Sequence, residues 1–373
     1  MKILYDYLCF HEKYGGVSKY FVNMLKQFPL DVQYEISVKY AKNEYIKTLP
    51  NIKLNNNLNR IDIRGKWRLF NFVNRNYLKI KLFSGNYDIY HQTHYNPFAY
   101  KYLPSTKKSV MTIHDMNFFV IPEAYKNDKL AQILAEWQKK SVSKADKIIV
   151  VSKNTKKDLI DIWNIPEEKI VVCYHGRDDI SIENFNLKRK FQQPYILFVG
   201  TRHIHKNFAK YLSAFKVVSE RNKDLILVCT GSPFNSSECN LINDYRLSDK
   251  IFQISVDENE MAALYHNAEV FVYPSLYEGF GLPLLEAMNA QCPIICSNTS
   301  CFPEICEKAA LYFNPYSIDD MVDVTTEILN NSSLKMKLIE EGNKRKKMFS
   351  WKKCTEEHIG VYKSMMMGKI EYG

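Results

Sequence analysis

Strand-length apolar runs alternate with helical patterns from one end of the chain to the other, and this alternation constrains the fold more than any other feature. The runs of the first half are Lys2–Leu8, Tyr34–Tyr40, Tyr87–His91, Ser109–His114, Lys147–Ser152 and Lys169–Tyr174. Those of the second half are Tyr195–Gly200, Leu225–Thr230, Lys250–Ser255, Glu269–Pro274, Pro293–Ser297 and Ala310–Phe313. Between them lie helical patterns such as Val17–Gln27, Asp128–Ala145, Lys153–Trp163 and Met261–Ala268. This order predicts an α/β protein whose parallel sheets carry helices on both faces.

Six strands in each half favour two Rossmann-like domains over one very wide sheet. A length of 373 residues suits two domains. The polar stretch from Gly176 to Pro194 has no clear period and is the predicted seam. We therefore expect an N-terminal domain over residues 1–180 and a C-terminal domain over 181–354. A helix that begins at the Ser350–Trp351 pair follows the last strand, and its part 355–373 is expected to cross back to the first domain.

Composition excludes several classes of protein. No apolar run approaches the roughly 18 residues that span a bilayer. The N-terminal segment MKILYDYLCF lacks a small-residue cleavage site, so we expect no signal peptide. Nine cysteines include no C-x-x-C pair, and no histidine lies within the group at positions 292–306. Reduced thiols of a cytoplasmic protein are favoured over a zinc site.

The net charge of +10 is concentrated in the first part of the chain. Residues 1–110 hold 18 Lys/Arg against 7 Asp/Glu, whereas the remainder holds 33 against 34. The excess peaks between Arg60 and Phe83, where seven basic residues are mixed with aromatic ones. Such a stretch can lie on an anionic membrane surface, or it can pack its aromatics on its own domain while its lysines are solvated. No nucleic-acid-binding motif accompanies the charge, so we expect no nucleic-acid partner.

The stretch from Tyr273 to Pro283, YPSLYEGFGLP, joins a predicted strand to a predicted helix. The glycines Gly279 and Gly281 allow a backbone to approach a ligand closely. The N-terminus of the following helix offers free N–H groups and a positive dipole end to a phosphate. Glu278 and Glu286 bracket this turn, and carboxylates accept hydrogen bonds from sugar hydroxyls. The pattern indicates a site for a sugar with a phosphate attached, against the simpler interpretation of a surface loop with two solvated glutamates.

Two loops of the first domain carry further candidates. Gly15 and Gly16 follow the first strand and open a helix, which fits either a backbone loop near an anion or a plain turn. His114 ends a strand and is expected at the carboxyl edge of the sheet. A histidine there can orient a hydroxyl or shuttle a proton, although structural histidines are commoner.

The second domain opens with a strand that ends at Gly200, and Arg202 and Lys206 follow in its loop. A guanidinium and an ammonium can neutralise a departing diphosphate, and the alternative is two solvated loop cations. No Asp-x-Asp occurs in the sequence, so we expect no divalent metal cofactor. The G-x-G-x-x-G fingerprint is also absent, which counts against NAD chemistry.

Taken together, these motifs resemble glycosyltransferase family 4, the large retaining family with the GT-B fold. The resemblance covers nearly the whole chain and is carried by the Glu278–Glu286 spacing around Gly-Phe-Gly-Leu-Pro. Its other markers are Gly15–Gly16, His114–Asp115, Ser152–Thr155, His175–Gly176, Gly200, Lys206–Asn207, Pro303–Ile305 and Phe349–Trp351. The chain departs from the family at Gln291, where relatives usually carry glycine. The resemblance implies two Rossmann-like domains that face each other across a cleft.

The resemblance also implies roles for individual residues. A nucleotide-sugar donor would bind mainly to the second domain, with Glu278 on the sugar, Glu286 on the ribose, and Arg202 and Lys206 on the diphosphate. His114 would lie by the reacting carbon. Further donor contacts would come from Gly15, Gly16, Gly200, Asn207, Val256, Phe280, Gly281 and Leu282. The departing phosphate would take the acceptor proton.

The expected activity is hexosyl transfer to a saccharide or lipid-linked acceptor in surface polysaccharide synthesis. GDP-mannose is the preferred donor and UDP-hexoses come next. The expected location is the cytoplasm, either free or at the inner face of the plasma membrane. A non-hydrolysing UDP-sugar 2-epimerase and a non-catalytic sugar-nucleotide binder are the alternatives. The sequence leaves the acceptor, the linkage and the oligomeric state undetermined.

Overall fold

The computed structural model describes residues 1–50, 52, 54, 66–178 and 188–367. It divides into two compact units. The first comprises Met1–Phe119, Tyr125–Gly176 and Ser350–Gly373, and the second comprises Val120–Ala124 and Arg177–Phe349. Residues 60–65 of the basic stretch and residues 179–187 of the predicted seam lie outside the described residues.

Twelve strands are present in the described chain, and each matches a predicted run. They are β1 Lys2–Tyr5, β2 Gln33–Ile36, β3 Ile89–Gln92, β4 Lys108–Ile113, β5 Lys147–Val150, β6 Ile170–Val172, β7 Tyr195–Phe198, β8 Ile226–Thr230, β9 Ile251–Ile254, β10 Val270–Tyr273, β11 Ile294–Ser297 and β12 Leu311–Phe313.

The helices between them include all four of the predicted examples. The α-helices are α1 Gly16–Leu25, α2 Lys66–Ser84, α3 Asn117–Val120, α4 Lys129–Lys144, α5 Lys153–Trp163, α6 Phe208–Arg221, α7 Ser236–Asp244, α8 Glu258–Asn267, α9 Leu282–Asn289, α10 Phe302–Cys306, α11 Ile318–Asn330, α12 Ser332–Arg345 and α13 Trp351–Met367. Short 3-10 helices span Leu8–Phe10, Tyr45–Thr48, Ala99–Lys101, Pro122–Tyr125, Glu167–Lys169, Ile204–Lys206, Glu307–Ala309 and Lys346–Met348.

Each unit holds one six-stranded sheet in which every pairing is parallel. The first sheet has the order β2-β1-β3-β4-β5-β6, and the second has the order β12-β11-β10-β7-β8-β9. Ile3 lies opposite Ile89 in the first sheet, and Val270 lies opposite Ile196 in the second. The predicted α/β class with two Rossmann-like sheets is confirmed.

The strands read as apolar runs because helices cover both faces of each sheet. All four residues of β10, from Val270 to Tyr273, are buried. In the second unit α6 and α11 pack against the sheet through Phe215, Met321 and Ile328, which are fully buried. Polar caps set the helix ends: Asp257 accepts from the N–H of Glu260 at 2.8 Å at the start of α8.

The C-terminal helix α13 packs on the first unit, as the sequence predicts. Thr355 donates to the carbonyl of Met24 in α1 at 2.9 Å, and the hydroxyl of Tyr362 lies 2.8 Å from that of Tyr5. His91 of β3 contacts the same Tyr362 hydroxyl through Nδ1 at 2.6 Å. Since all these groups are buried, the helix is tied to the core of the first unit by a polar network as well as by apolar packing.

Helix α2 contains the described part of the basic stretch. It buries Phe70, Leu78 and Leu82 against the first unit. Asn74 fastens the buried face, because its side chain accepts from the N–H of Lys39 at 2.8 Å and donates to the carbonyl of Tyr40 at 2.7 Å. The opposite face carries exposed apolar side chains such as Leu69 and Phe72.

Among the described residues, no helix has the length and apolar character that a bilayer crossing requires. The nine cysteines, which all lie among the described residues, are free thiols that form no disulfide, and eight of them are buried. No cluster of three or more histidine, cysteine, aspartate or glutamate side chains suited to a metal ion occurs in the part of the chain that the structure describes.

Candidate active site

The strand order of the second sheet reverses between β10 and β7. Strands β11 and β12 continue the sheet beyond β10, whereas β8 and β9 continue it beyond β7. Ligands of open α/β sheets bind outside the carboxyl ends of the strands at such a reversal. The loops that leave these two strands carry Lys206 and Glu278, so the sequence candidates meet at the position that the topology favours.

Lys206 and Glu278 form a largely buried ion pair. Nζ of Lys206 lies 2.5 Å from Oε1 of Glu278 and 3.2 Å from the hydroxyl of Tyr273. Their side chains are 14% and 13% exposed. The ammonium also lies 5.1 Å from the centre of the Tyr273 ring. The two predicted residues are therefore brought together, with one positive and one negative group available to a ligand at the same edge.

Electrostatics keep Glu278 charged at neutral pH. Burial by itself favours the protonated carboxyl, but the charge of Lys206 holds the pKa of Glu278 below its usual value. For His205, burial lowers the pKa to about 4, so its imidazole is neutral at pH 7. The site thus presents an ionised carboxylate beside a single ammonium.

Backbone hydrogen bonds fix the loop that carries Glu278. The N–H of Leu276 donates to the carbonyl of His205 at 2.7 Å, which joins this loop to the loop of Lys206. The N–H of Glu278 donates to Oγ of Ser300 at 3.1 Å, and the Ser300 hydroxyl donates to the carbonyl of Glu278 at 2.7 Å. The carboxylate is therefore held by a pre-formed frame, a general requirement for precise binding.

Gly281 stands at the start of α9 in a left-handed conformation, with φ of 89°. A Cβ at this position would lie 2.9 Å from Cδ1 of Leu284. Leu282 and Pro283 begin the helix, while the preceding Phe280 is buried against Phe349 with ring centres 5.6 Å apart. The turn therefore presents main-chain N–H groups and the positive end of α9 at the carboxyl edge of β10.

Glu286 lies one turn into α9 and is exposed. Its Oε2 accepts a hydrogen bond from the buried hydroxyl of Tyr265 at 3.0 Å. Tyr265 belongs to α8, so this bond links the two helices and orients the carboxylate.

Arg202 has contacts that differ from those expected from the sequence. Its side chain is 2% exposed, and Nε donates to Oε1 of Glu238 at 3.0 Å. The terminal nitrogens donate to the carbonyls of Thr230 at 3.2 Å and Pro233 at 3.0 Å, and also to that of Ser232. Most of the guanidinium N–H groups are therefore engaged by Thr230 of β8, by the loop after β8 and by Glu238 of α7, a partner 36 residues away in sequence. The diphosphate role expected for Arg202 stays a prediction.

The remaining predicted donor residues of the second unit lie on loops at the same edge of its sheet. Gly200 has φ of 108°, and its carbonyl lies so close to Gly231 that a Cβ there would be 2.6 Å away. Asn207 has a left-handed backbone and donates through Nδ2 to the carbonyl of Pro315 at 2.8 Å. Val256 is partly exposed in the loop after β9. The loops after β7, β8, β9 and β10 thus share one edge.

The candidates of the first unit lie on loops after β1 and β4. Gly15 has an extended backbone and precedes α1, and a Cβ on Gly16 would meet nothing within 4 Å. His114 follows β4, and burial lowers its pKa to about 3. Its Nε2 is buried and, among the described residues, has no hydrogen-bond partner. A neutral imidazole with an unused nitrogen is suited to bonding a hydroxyl.

Sequence reasoning missed the partners that hold these groups in place. Tyr273 was read only as the end of a strand, although its hydroxyl contacts Lys206. Ser300 and Tyr265 lie 22 and 21 residues from the glutamates they bond. No local motif marks such residues, because their contacts depend on the order of strands in the sheet.

Two known protein families together match most of the chain. The pattern of "Glycosyltransferase Family 4" matches residues 14–179, and that of "Glycosyl transferases group 1" matches residues 179–345. O-antigen chain mannosyltransferase B of Escherichia coli is 26% identical over 374 residues, which cover 93% of this chain and 96% of the relative. O-antigen chain mannosyltransferase RfbU of Salmonella typhimurium is 31% identical over 239 residues, 64% of each chain.

A similar structure is that of sucrose-phosphate synthase from Thermosynechococcus elongatus. It has a TM-score of 0.72 at 18% identity and covers 99% of this chain and 100% of its own. The two Rossmann-like units and the matched families together define a glycosyltransferase of the GT-B fold. With matches that together extend from residue 14 to residue 345, the chain belongs to glycosyltransferase family 4.

Proposed function

We propose that this enzyme transfers mannose from GDP-mannose to a saccharide or lipid-linked acceptor during synthesis of a surface polysaccharide. The observation that carries the transferase assignment is the buried Lys206–Glu278 pair at the strand reversal of the second sheet. The choice of mannose is supported by two relatives whose names are O-antigen chain mannosyltransferases.

The donor is proposed to bind at the edge formed by the loops after β7 and β10. Glu278 accepts hydrogen bonds from the hydroxyls of the mannose, and Lys206 bonds the diphosphate. The N–H groups at the start of α9, around Gly281, add to the binding of the anion. Glu286 accepts from the ribose, its carboxylate being exposed beside Tyr265. Arg202 ties the loop after β7 to β8 and α7, and its expected contact with the diphosphate remains part of the proposal.

The reaction is proposed to retain the configuration of the anomeric carbon. The bond from C1 to the diphosphate oxygen breaks, and an acceptor oxygen forms its bond to C1 on the same face. The proton of the acceptor hydroxyl passes to the departing phosphate, so the products are GDP and the mannoside. The acceptor is proposed to bind to the first unit, with His114 bonding a hydroxyl through its unused nitrogen.

Metal independence is part of the proposal. A departing diphosphate needs positive charge near it, and Lys206 supplies a fixed ammonium. The helix N-terminus of α9 adds a positive dipole end.

The proposed activity is tested by incubating the protein with radiolabelled GDP-mannose and a panel of lipid-linked and free saccharides. UDP-glucose, UDP-galactose and UDP-N-acetylglucosamine serve as competing donors. We expect label from GDP-mannose in the acceptor, an α-linked product by NMR, and undiminished rates in EDTA. Transfer from a UDP-sugar but not from GDP-mannose would refute the proposed donor. A product of inverted anomeric configuration would refute retention, and loss of activity in EDTA would refute metal independence. Conversion of a UDP-sugar to its 2-epimer without transfer would overturn the assignment.

Association with an anionic membrane surface is proposed for the outer face of α2. Leu69, Phe72, Ile80 and Phe83 are between 56% and 64% exposed. At 100° per residue they fall within about 80° of arc, opposite the buried face. Arg68, Arg75 and Lys79 flank the stripe on one side, and such basic, apolar helices lie in the plane of anionic bilayers. The enzyme is accordingly proposed to work at the cytoplasmic face of the membrane.

A further inference from the structure

Tyr273 places a hydroxyl group at the end of an otherwise apolar strand. The sequence of β10 is Val-Phe-Val-Tyr, and the side chain of Tyr273 is 2% exposed. A phenylalanine would fill the same space without a hydroxyl that burial separates from water. Because a buried hydroxyl is destabilising unless it has a hydrogen-bond partner, the phenol of Tyr273 needs a partner inside the site.

The ammonium group of Lys206 is such a partner. Nζ of Lys206 donates to the Tyr273 hydroxyl at 3.2 Å and lies 5.1 Å from the centre of the Tyr273 ring. The same Nζ lies 2.5 Å from Oε1 of Glu278. A lysine ammonium is carried on a flexible four-carbon stem, so a single ion pair restricts it less than three contacts do. The hydroxyl and the ring therefore help to define where the charge of Lys206 lies.

The phenol keeps its proton at neutral pH. Burial, together with the neighbouring carboxylate of Glu278, holds the pKa of Tyr273 well above its usual value. A protonated phenol accepts a hydrogen bond from Lys206 through its oxygen and still has an O–H to donate. It therefore brings no negative charge that would compete with a diphosphate for the ammonium.

Packing fixes the position of the Tyr273 ring. The residue pairs with Cys296 of β11, and its ring centre lies 5.2 Å from that of Phe302 and 5.5 Å from that of Phe271. The ring also approaches Gly281, where a Cβ would lie 3.4 Å from Cε1 of Tyr273. The hydroxyl is thus held both by the sheet and by the turn that opens α9.

We propose that Tyr273 is a positioning residue for the donor, whose hydroxyl holds the ammonium of Lys206 at the place where the diphosphate binds. When the donor binds, the diphosphate replaces Glu278 as the anionic partner of Lys206, and Glu278 bonds the hydroxyls of the sugar. Tyr273 keeps the ammonium in place during this exchange. The inference rests on the proposed function and adds to it a residue that acts through Lys206 without touching the donor.

A double-mutant cycle tests this role. Calorimetric titration gives the Kd of GDP for the wild type, Tyr273→Phe, Lys206→Met and the double variant. We expect Tyr273→Phe to raise the Kd of GDP and the KM of GDP-mannose about three- to tenfold and to leave the acceptor KM unchanged. In the Lys206→Met background, Tyr273→Phe should have no further effect on the Kd. Guanosine, which has no phosphate, should bind Tyr273→Phe and the wild type equally.

Tyr195→Phe is the matched control, because it removes another buried hydroxyl from the same sheet. The Tyr195 hydroxyl donates to the carbonyl of Leu264 at 2.7 Å, and Tyr195 begins β7, at the edge of the sheet opposite the donor loops. Both phenylalanine variants should lower the melting temperature, but only Tyr273→Phe should weaken the binding of GDP.

The inference is overturned if Tyr273→Phe binds GDP as the wild type does, or if it weakens binding by the same factor with and without Lys206. Equal weakening by Tyr195→Phe would overturn it too. Binding of UDP instead of GDP would refute the proposed donor, and the same cycle with UDP then decides the role of Tyr273: non-additive losses support it and additive losses overturn it. If the wild type binds neither nucleotide, the proposed function and this inference both fail.

Discussion

At the scale of single residues, the site depends on a charged pair that burial makes costly to break. Lys206 and Glu278 are each less than 15% exposed, so removing one partner leaves the other with little solvent to replace it. The carboxylate stays ionised because of that ammonium. This pair therefore links binding chemistry and stability in the same two side chains.

Glu278→Gln and Lys206→Met should each lower kcat by about 10²- to 10³-fold, because each removes a charge that faces the donor. Each should also cost about 2–4 kcal/mol in the free energy of unfolding. The double variant should regain much of the stability, since no unpaired charge remains, but not the activity. Turnover assays and urea denaturation measure the two effects. Wild-type turnover in either single variant would contradict the role of the pair in catalysis.

Gly281 is a second residue whose identity is fixed by conformation. Gly281→Ala should lower the unfolding free energy by about 1–3 kcal/mol, because φ is positive and the new Cβ meets Leu284. Gly360→Ala is the matched control: it lies in helix α13 with nothing within 4 Å, so alanine should stabilise by about 0.5–1 kcal/mol. Thermal denaturation of both variants measures the difference. A similar loss of stability in both variants would contradict the role given to the backbone conformation of Gly281.

At the scale of elements, the sequence predicted every strand but not the partners of the loop side chains. Parallel strands are covered on both faces, so a run such as Val270–Tyr273 is apolar throughout and is recognised without knowledge of its neighbours. Arg202 and Lys206 are two cations in one loop, and local pattern cannot tell which faces the ligand. Arg202 pairs with Glu238 and Lys206 pairs with Glu278, and both contacts depend on the strand order, such as the packing of β7 beside β8.

The same limit applies to the first unit. His114 was predicted from its place at the end of a strand, and the cavity of about 180 Å³ that it lines was not. Tyr95 follows β3, whereas Asn117 and Tyr125 follow β4, and the pairing of β3 with β4 brings these residues together. Helix α2 has a buried face and an exposed apolar face, since Phe70 is buried whereas Phe72 is exposed. The contact of its exposed face with a membrane stays a prediction.

The exposed stripe of α2 gives a prediction at the element scale. The triple variant Leu69→Ser/Phe72→Ser/Phe83→Ser should bind vesicles of phosphatidylglycerol and phosphatidylethanolamine at least tenfold more weakly, because it removes apolar area that enters the interface. A control with Leu30→Ser/Leu130→Ser/Ile133→Ser removes exposed apolar side chains elsewhere on the first unit. Sedimentation with the vesicles measures both. Equal binding by the two triple variants would refute a membrane role for α2.

At the scale of the whole molecule, buried histidines make stability depend on pH. Five histidines of the first unit have a pKa lowered by burial. They are His91, His94, His114, His175 and His358. Below about pH 6.5 the unfolded chain binds protons that the folded chain does not, so the unfolding free energy falls as pH falls. Asp6 opposes this with one proton, because burial raises its pKa to about 6 and its folded carboxyl is protonated below that pH.

We therefore expect a melting temperature that is nearly flat above pH 7 and falls from pH 6.5 to pH 5. Over this range the free energy of unfolding should fall by up to about 1.4 kcal/mol per pH unit for each buried histidine that Asp6 does not offset. His358→Gln should reduce the slope, because it removes one buried imidazole that must be protonated in the unfolded chain. Calorimetry at pH 7, 6 and 5 measures it. Rising stability on acidification would contradict the assignment of neutral buried imidazoles.

The central claim is that the strand reversal of the second sheet holds the diphosphate of the donor beside Lys206. A crystal structure of the protein soaked with GDP tests it most directly. The account predicts a phosphate oxygen within about 3.5 Å of Nζ of Lys206 and next to the first N–H groups of α9. Well-defined GDP bound at any other place, with the Lys206–Glu278 pair untouched, would contradict it.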